Sequence, residues 1–308
     1  MFSTQGAKAN QAWRRVFAAL AVLGVAAAGC SAPTNGATPV NQRVTSSVAT
    51  QIQPAGAIPR PDHVVVVVME NHGLDQVIGN PNAPYINQLA RTGAQFTNAT
   101  AITHPSEPNY LALFSGDTFG VTDDSCPHSF SAPNLGERLL DAHLSFAGYS
   151  ENQPSVGYTG CEAGNYARKH NPWVNFTNVP TAANQSFSGF GPDYAALPTV
   201  SIVVPNLCND MHDCGVRTGD TWIKSNLDGF ARWAQTHNSL LVVTWDEAED
   251  ASPNNQIPLI FAGAIVKAGR YSEPVNHYRL LRTLEDFYHL TPTGQADATS
   301  AITDVWTQ

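Results

Sequence analysis

Basic residues are scarce in this chain. Across 308 residues, 16 Lys and Arg face 25 Asp and Glu, a net charge of −9. That balance excludes the usual nucleic-acid binder, which needs clustered cations to neutralise phosphates. Long apolar runs are also missing. Val16 to Ala28 is uncharged, but it is too short to cross a hydrocarbon core of about 30 Å as a helix. No internal repeat is found, and no second change of composition follows residue 61, so one folded unit is expected from there on. Cysteine is limited to five residues, an odd count that leaves one thiol to explain in an exported protein. The 43% hydrophobic fraction is ordinary; it supplies a sizeable core and excludes disorder throughout.

What the N-terminus does carry is a targeting pattern. Arg14 and Arg15 precede Val16 to Ala28 as the positive and apolar regions of a secretory signal precede its cleavage site. The run ends at Ala27-Ala28-Gly29-Cys30, which resembles a bacterial lipobox with Ala27 in place of the more usual Leu. Lipidation of Cys30 is therefore expected; a general signal-peptidase cut near the Ala cluster is the alternative. Loss of residues 1–29 removes Lys8, Arg14 and Arg15, leaving 13 cations against 25 acids and a charge of −12. Residues 30–60 are rich in Ala, Thr, Pro, Asn, Gln and Ser and lack an apolar period. They read as a flexible tether, since such a composition buries too little surface to offset ordering entropy. Residues 61–308 are left for the folded domain.

Within that domain, strands and helices alternate. His63–Met69 is a continuous β-branched run, the mark of a strand buried on both faces. Thr199–Val204 and Ser239–Thr244 have the same character, and Pro258–Ala262 is a shorter candidate. Helical patterns cover Tyr85–Thr92, Asn109–Phe114, Asn134–Ala142, Asp220–Gln235 and His277–Tyr288. The alternation predicts an α/β fold, a three-layer α/β/α sandwich around a mostly parallel central sheet.

In such sheets the chemistry sits beyond the carboxyl ends of the strands. Glu70-Asn71-His72 follows the first strand, Trp245-Asp246-Glu247 follows the 239–244 strand, and Asn209-Asp210-Met211-His212-Asp213 lies just beyond the 199–204 strand. Carboxylate and carbonyl oxygens at one edge suit a hard divalent cation, Mg²⁺, Ca²⁺ or Mn²⁺. A lone cluster of this kind would read as loop polars and helix caps; three at strand ends predict a metal site. Ser106, in the run His104-Pro105-Ser106-Glu107-Pro108-Asn109-Tyr110, stands just before a helix. A hydroxyl there meets unpaired backbone N–H groups, as a phosphate would, although a simple helix cap has the same sequence. Metal coordination would make it a nucleophile.

These residues resemble a known family. Met69-Glu70-Asn71-His72, the Pro-Ser-x-Pro-Asn-Tyr run at 105–110 and Trp245-Asp246-Glu247, in this order, resemble the bacterial phosphoesterase family. That family holds secreted acid phosphatases and phospholipases C and is related to the alkaline phosphatase superfamily. The resemblance covers about residues 61–305 and is most like mycobacterial secreted acid phosphatases. It implies an alkaline-phosphatase-like sandwich and one or two divalent ions held by Glu70, Asn71, Asp246, Glu247 and Ser106. It also implies Ser106 as nucleophile, Asn109 as a hydrogen-bond donor to a phosphoryl oxygen, and His212 as the acid that protonates the leaving alkoxide. His104, Lys169, His170 and Asp210 are expected around the substrate. His277 matches a late family histidine, or else caps the last helix. A glycine-rich stretch after Trp-Asp-Glu, usual in the long phospholipases, is replaced here by Ala248-Glu249-Asp250-Ala251.

The resemblance implies an exported, metal-dependent acid phosphatase acting on phosphomonoesters, phosphoinositides among them, through a phosphoserine. A phospholipase C cleaving phosphodiesters is the alternative, followed by a non-catalytic surface lipoprotein. A Ser-His-Asp esterase lacks support because no Gly-x-Ser-x-Gly elbow surrounds Ser106. The expected product is a monomer, held at the outer face of the membrane by its lipid or secreted, with no nucleic-acid partner. With Cys30 set apart, four cysteines remain. Cys208 and Cys214 bracket the 209–213 loop and are expected to bridge, leaving Cys126 to pair with Cys161; a thiolate zinc site is the lesser alternative.

Overall fold

The computed structural model describes residues 58–249 and 252–307. The expected signal segment, Cys30 and nearly all of the tether lie outside the described residues. In chain order the first strands are β1 (His63–Met69), β2 (Ala94–Phe96), β3 (Ala99–Thr100) and β4 (Phe146–Ser150). Next come β5 (Glu162–Ala163), β6 (Tyr166–Ala167), β7 (Asn184–Ser186) and β8 (Val200–Val204). The last are β9 (Ser239–Trp245), β10 (Leu259–Ala262), β11 (Gly269–Tyr271) and β12 (Val275–Asn276). The α-helices are α1 (Leu74–Val77), α2 (Pro84–Thr92), α3 (Ser106–Ser115), α4 (Leu135–Asp141), α5 (Val216–Ala234) and α6 (His277–Phe287).

The central sheet has the order β11-β2-β10-β9-β1-β8-β4-β7. Its neighbours pair in parallel except at β10, which is antiparallel to both β9 and β2. The sequence pattern marks 258–262 as a short strand without fixing its direction; its antiparallel course has a simple cause. The link from β9 to β10 carries no α-helix, and a parallel return needs a longer crossover, usually a helix. Helix α2 packs on α5, and α3 packs on α6. With β1, β8 and β9 buried along nearly their whole length, the sheet is covered on both faces. Among the described residues no helix is long and apolar enough to cross a membrane.

Register brings the chemistry together. Val67 pairs with Val203 and Met69 with Trp245, so β1, β8 and β9 end at one edge. The Asp246 N–H donates to the Met69 carbonyl at 3.0 Å and the Glu70 N–H to the Asp210 carbonyl at 2.8 Å. Helix α3 begins at Ser106, three residues before the expected start. Pro108 explains the difference: in a first turn it has no intrahelical N–H bond to lose, so the helix runs through it. Both expected disulfides are present, Cys126–Cys161 and Cys208–Cys214, and the zinc alternative falls.

Candidate active site

Ser106, buried at 1% exposure, opens α3 and stands over the strand ends. Its Oγ lies 3.0 Å from Glu70 Oε2, 3.4 Å from Asn71 Oδ1 and 3.2 Å from Glu247 Oε1. Three oxygen donors from two different strand ends thus surround one hydroxyl. Asn71 follows Glu70 with φ +45°, a left-handed conformation that Asn tolerates better than most side chains. Its backbone N–H reaches Asp246 Oδ1 at 3.3 Å, which ties the two acidic corners together. Tyr110, one turn after Ser106 on α3, donates its hydroxyl to Glu70 Oε1. The His104 ring pairs with Glu247.

The loop after β8 supplies the imidazole. Met211, with φ +87° and 1% exposure, lies on Gly219 of α5. A Cβ there would come within 2.5 Å of two Met211 atoms, so this glycine is what lets the loop approach. Asp210 Oδ1 accepts from the His212 N–H at 2.8 Å, and His212 Nδ1 lies 2.8 Å from Asp213 Oδ1. With Nδ1 held by a carboxylate, Nε2 is left to face the cleft and Lys169, whose Nζ is 3.5 Å away. Lys169 also donates to Asp124 Oδ2 at 2.9 Å. Burial disfavours its ammonium, but the bond to Asp124 and the charges around it prevail and raise its pKa. A cleft of about 530 Å³ opens on these groups, lined by Asn71, His104, Ser106, Asp124, His212 and Glu247 among others.

The acidic nest fits a divalent cation. Burial drives the Glu70 carboxyl far above its usual pKa, helped by the charges of Asp246 and Asp210. Burial does the same to Asp246, with Glu247 adding to it, and Asp246 Oδ2 has no hydrogen-bond partner among the described residues. Carboxylates packed so closely require protons or a cation between them. Glu70, Asn71, Ser106, Asp246 and Glu247 are the residues that would hold the ion. A second grouping of mixed type, Glu70 with His170 and His212, offers ligand atoms within 4.8 Å of one another; its imidazoles suit a transition ion better than Ca²⁺ or Mg²⁺.

The phosphoesterase family model matches residues 80–291. The chain belongs to the phosphoesterase family. A phosphatidylinositol-3-phosphatase of Mycobacterium tuberculosis is 51% identical over 295 residues, covering 95% of each chain. A phosphate-repressible acid phosphatase of Penicillium chrysogenum is 31% identical over 77% of this chain, which spans 61% of that longer protein. Among solved structures, an alkaline phosphatase superfamily protein from Vibrio parahaemolyticus superposes with a TM-score of 0.58 at 14% identity, covering 81% of this chain and 72% of that one. That likeness shows the fold.

Four residues of this phosphoesterase sit differently from what the family pattern implies. Asn109 has both ends of its amide committed: Oδ1 accepts from the Ile102 and Thr103 N–H groups, and Nδ2 donates to the Thr103 and Pro105 carbonyls. It braces the loop ahead of Ser106 and has no donor left for a phosphoryl oxygen. Asp210 is fully buried, faces His170 and the His212 N–H, and does not line the cleft. His170 lies between Glu70 at 3.2 Å and Asp210 at 3.5 Å. Burial, with Lys169 and His212 nearby, pushes its pKa well down and disfavours the cationic form that phosphate binding would use. His277 neither caps α6, which Asn276 does through Arg279, nor faces the cleft; its ring contacts the Asp246 carbonyl from below.

Tyr110 stands in the Pro-Ser-x-Pro-Asn-Tyr run with no role assigned to it there, and Asp124 belongs to none of the motifs. Tyr110 could have been found from its spacing, since i and i+4 share a helix face. Asp124 could not: it lies in an irregular loop, and only folding brings it to Ser106.

Proposed function

We propose that the chain is an exported, metal-dependent phosphatase that hydrolyses phosphomonoesters through a phosphoserine at Ser106. The observation that carries this reading is the Ser106 hydroxyl, held within 3.4 Å of Glu70, Asn71 and Glu247 at a helix N-terminus in a cleft shared with Lys169's partner Asp124 and His212. A divalent ion bound by the acidic nest would supply Lewis acidity, favouring the Ser106 alkoxide and drawing charge from phosphoryl oxygens. As the alkoxide, its proton already lost to solvent, Ser106 Oγ forms the bond to phosphorus while the bond to the leaving oxygen breaks, and His212 delivers an Nε2 proton to that oxygen. Water then attacks the phosphoserine, giving its proton back to His212 and releasing Ser106 and phosphate. Lys169 and the N–H groups at the start of α3 stabilise charge on the equatorial oxygens. The 51% identity to a phosphatidylinositol-3-phosphatase supports phosphoinositides as substrate, and a lipid on Cys30 would hold the enzyme beside them.

The test combines substrate and metal. Metal-stripped enzyme should release phosphate from phosphomonoesters only after add-back of a divalent ion, and should release no diacylglycerol from phosphatidylcholine. Folded Ser106→Ala should lose at least about 1,000-fold in kcat. Near wild-type turnover in that variant would sink the nucleophile assignment, and diacylglycerol release would return the phospholipase reading.

A further inference from the structure

Asp124 occupies the donors that a substrate phosphoryl group needs. Its Oδ1 accepts the Glu107 N–H at 3.0 Å, and its Oδ2 accepts from Lys169 Nζ at 2.9 Å. Glu107 directly follows Ser106 in the first turn of α3, where an N–H has no intrahelical partner. One backbone donor beside the nucleophile and one ammonium therefore converge on a single carboxylate in the wall of the Ser106 cleft. Such donors are the ones phosphoryl oxygens take.

The carboxylate is held in place by its covalent surroundings. Two residues on, Cys126 is bridged to Cys161, and the chain from Cys161 leads through the β5–β6 hairpin to Lys169. The disulfide thus couples the loop that carries the anion to the segment that carries the cation. Asp124 keeps 28% of its side chain exposed, so it has solvent to move into.

We infer that Asp124 is an affinity-determining stand-in for the phosphoryl group, displaced from Lys169 and the Glu107 N–H when substrate binds and returning as phosphate leaves. A phosphate dianion cannot share those donors with a carboxylate at contact distance without strong like-charge repulsion. Binding is then an anion exchange, and the carboxylate weakens both substrate and product phosphate. The inference rests on the phosphatase reading of the same cleft.

The test is calorimetric titration of inorganic phosphate into metal-loaded wild-type and Asp124→Asn protein, alongside its competitive inhibition of aryl phosphate hydrolysis. Asn retains an acceptor for the Glu107 N–H but lacks the charge. The variant should bind phosphate roughly ten-fold more tightly or better, with a lower KM. A second variant, Asp124→Ala, should move in the same direction and covers the case in which Asn misfolds. Adding Lys169→Met should abolish the gain. Unchanged or weaker phosphate binding in both Asp124 variants would make Asp124 a mere positioning partner of Lys169 and overturn the inference alone. A folded, metal-loaded wild-type protein that neither binds phosphate nor hydrolyses the ester would overturn the phosphatase reading and this inference with it.

Discussion

Tyr110 shows how much of the candidate site depends on single contacts behind the nucleophile. Its hydroxyl reaches Glu70 while its ring stacks on His170, centroids 5.2 Å apart. The same carboxylate faces Ser106 through its other oxygen, so Tyr110 fixes which lone pairs Glu70 presents. Tyr110→Phe should keep the stacking and the fold yet weaken divalent-ion affinity by about ten-fold or more, the usual effect of losing a hydrogen bond to a metal-binding group. Metal titration followed by calorimetry reads this directly, and unchanged affinity would remove Tyr110 from the site. His104, paired with Glu247, does comparable work at the other acidic corner, while His277 holds the Asp246 backbone carbonyl. Residue type was legible here: Glu, Asp, Asn, Ser and His in strand-end loops announced oxygen and nitrogen ligands. Direction was not. Asn109 and Asp210 are as polar as Asn71 and Asp246 but face inward, and nothing in the local spacing separates the two cases.

At the scale of elements, the strongest signals were the Val-rich strands. β1, β8 and β9 are buried on both faces, and that environment selects continuous β-branched runs. β4 has the opposite character. Phe-Ala-Gly-Tyr-Ser has no β-branched residue and a central glycine, yet Phe146–Ser150 pairs with β8 and β7 and is buried throughout. Gly148 accounts for part of this. A Cβ there would lie 2.1 Å from the Trp173 indole, so the glycine makes room for a large fully buried side chain from a distant segment. Gly148→Ala should therefore destabilise the fold by about 1–3 kcal/mol through overpacking, despite the better propensity of Ala. Urea unfolding is the measurement; a neutral or stabilising effect would show that Trp173 can shift. Helix boundaries followed the same logic, with α3 running through Pro108 because first-turn N–H groups are unpaired in any case.

For the molecule as a whole, buried acids set the response to pH. Glu285 of α6 is fully buried; burial raises its pKa to about 7, against partial relief from Thr293, whose N–H and hydroxyl both donate to Oε1. An acid whose folded pKa exceeds its unfolded value binds more protons when folded. Its contribution to stability is therefore complete below about pH 4.5, declines as pH rises to about 7, and is level above that. The cost at pH 8 relative to pH 4.5 is on the order of 2–3 kcal/mol. Melting temperature should fall across that window, and Glu285→Gln should flatten the fall. Parallel curves for the two proteins would assign the slope elsewhere. Glu285 lies far from the cleft residues in sequence and role, which keeps this reading separate from metal binding.

Composition and local pattern alone determined the α/β class, the covered central strands and the ligand chemistry at their ends. Each of these follows from residue type or from periods of a few residues. Only tertiary structure decided the reversal of β10, the admission of β4 to the sheet, the inward turn of Asn109 and Asp210, and the meeting of Asp124 with Lys169 and the start of α3. These depend on which loops cross the carboxyl edge of the sheet and on close packing between segments remote in sequence, and short-range pattern carries no record of either.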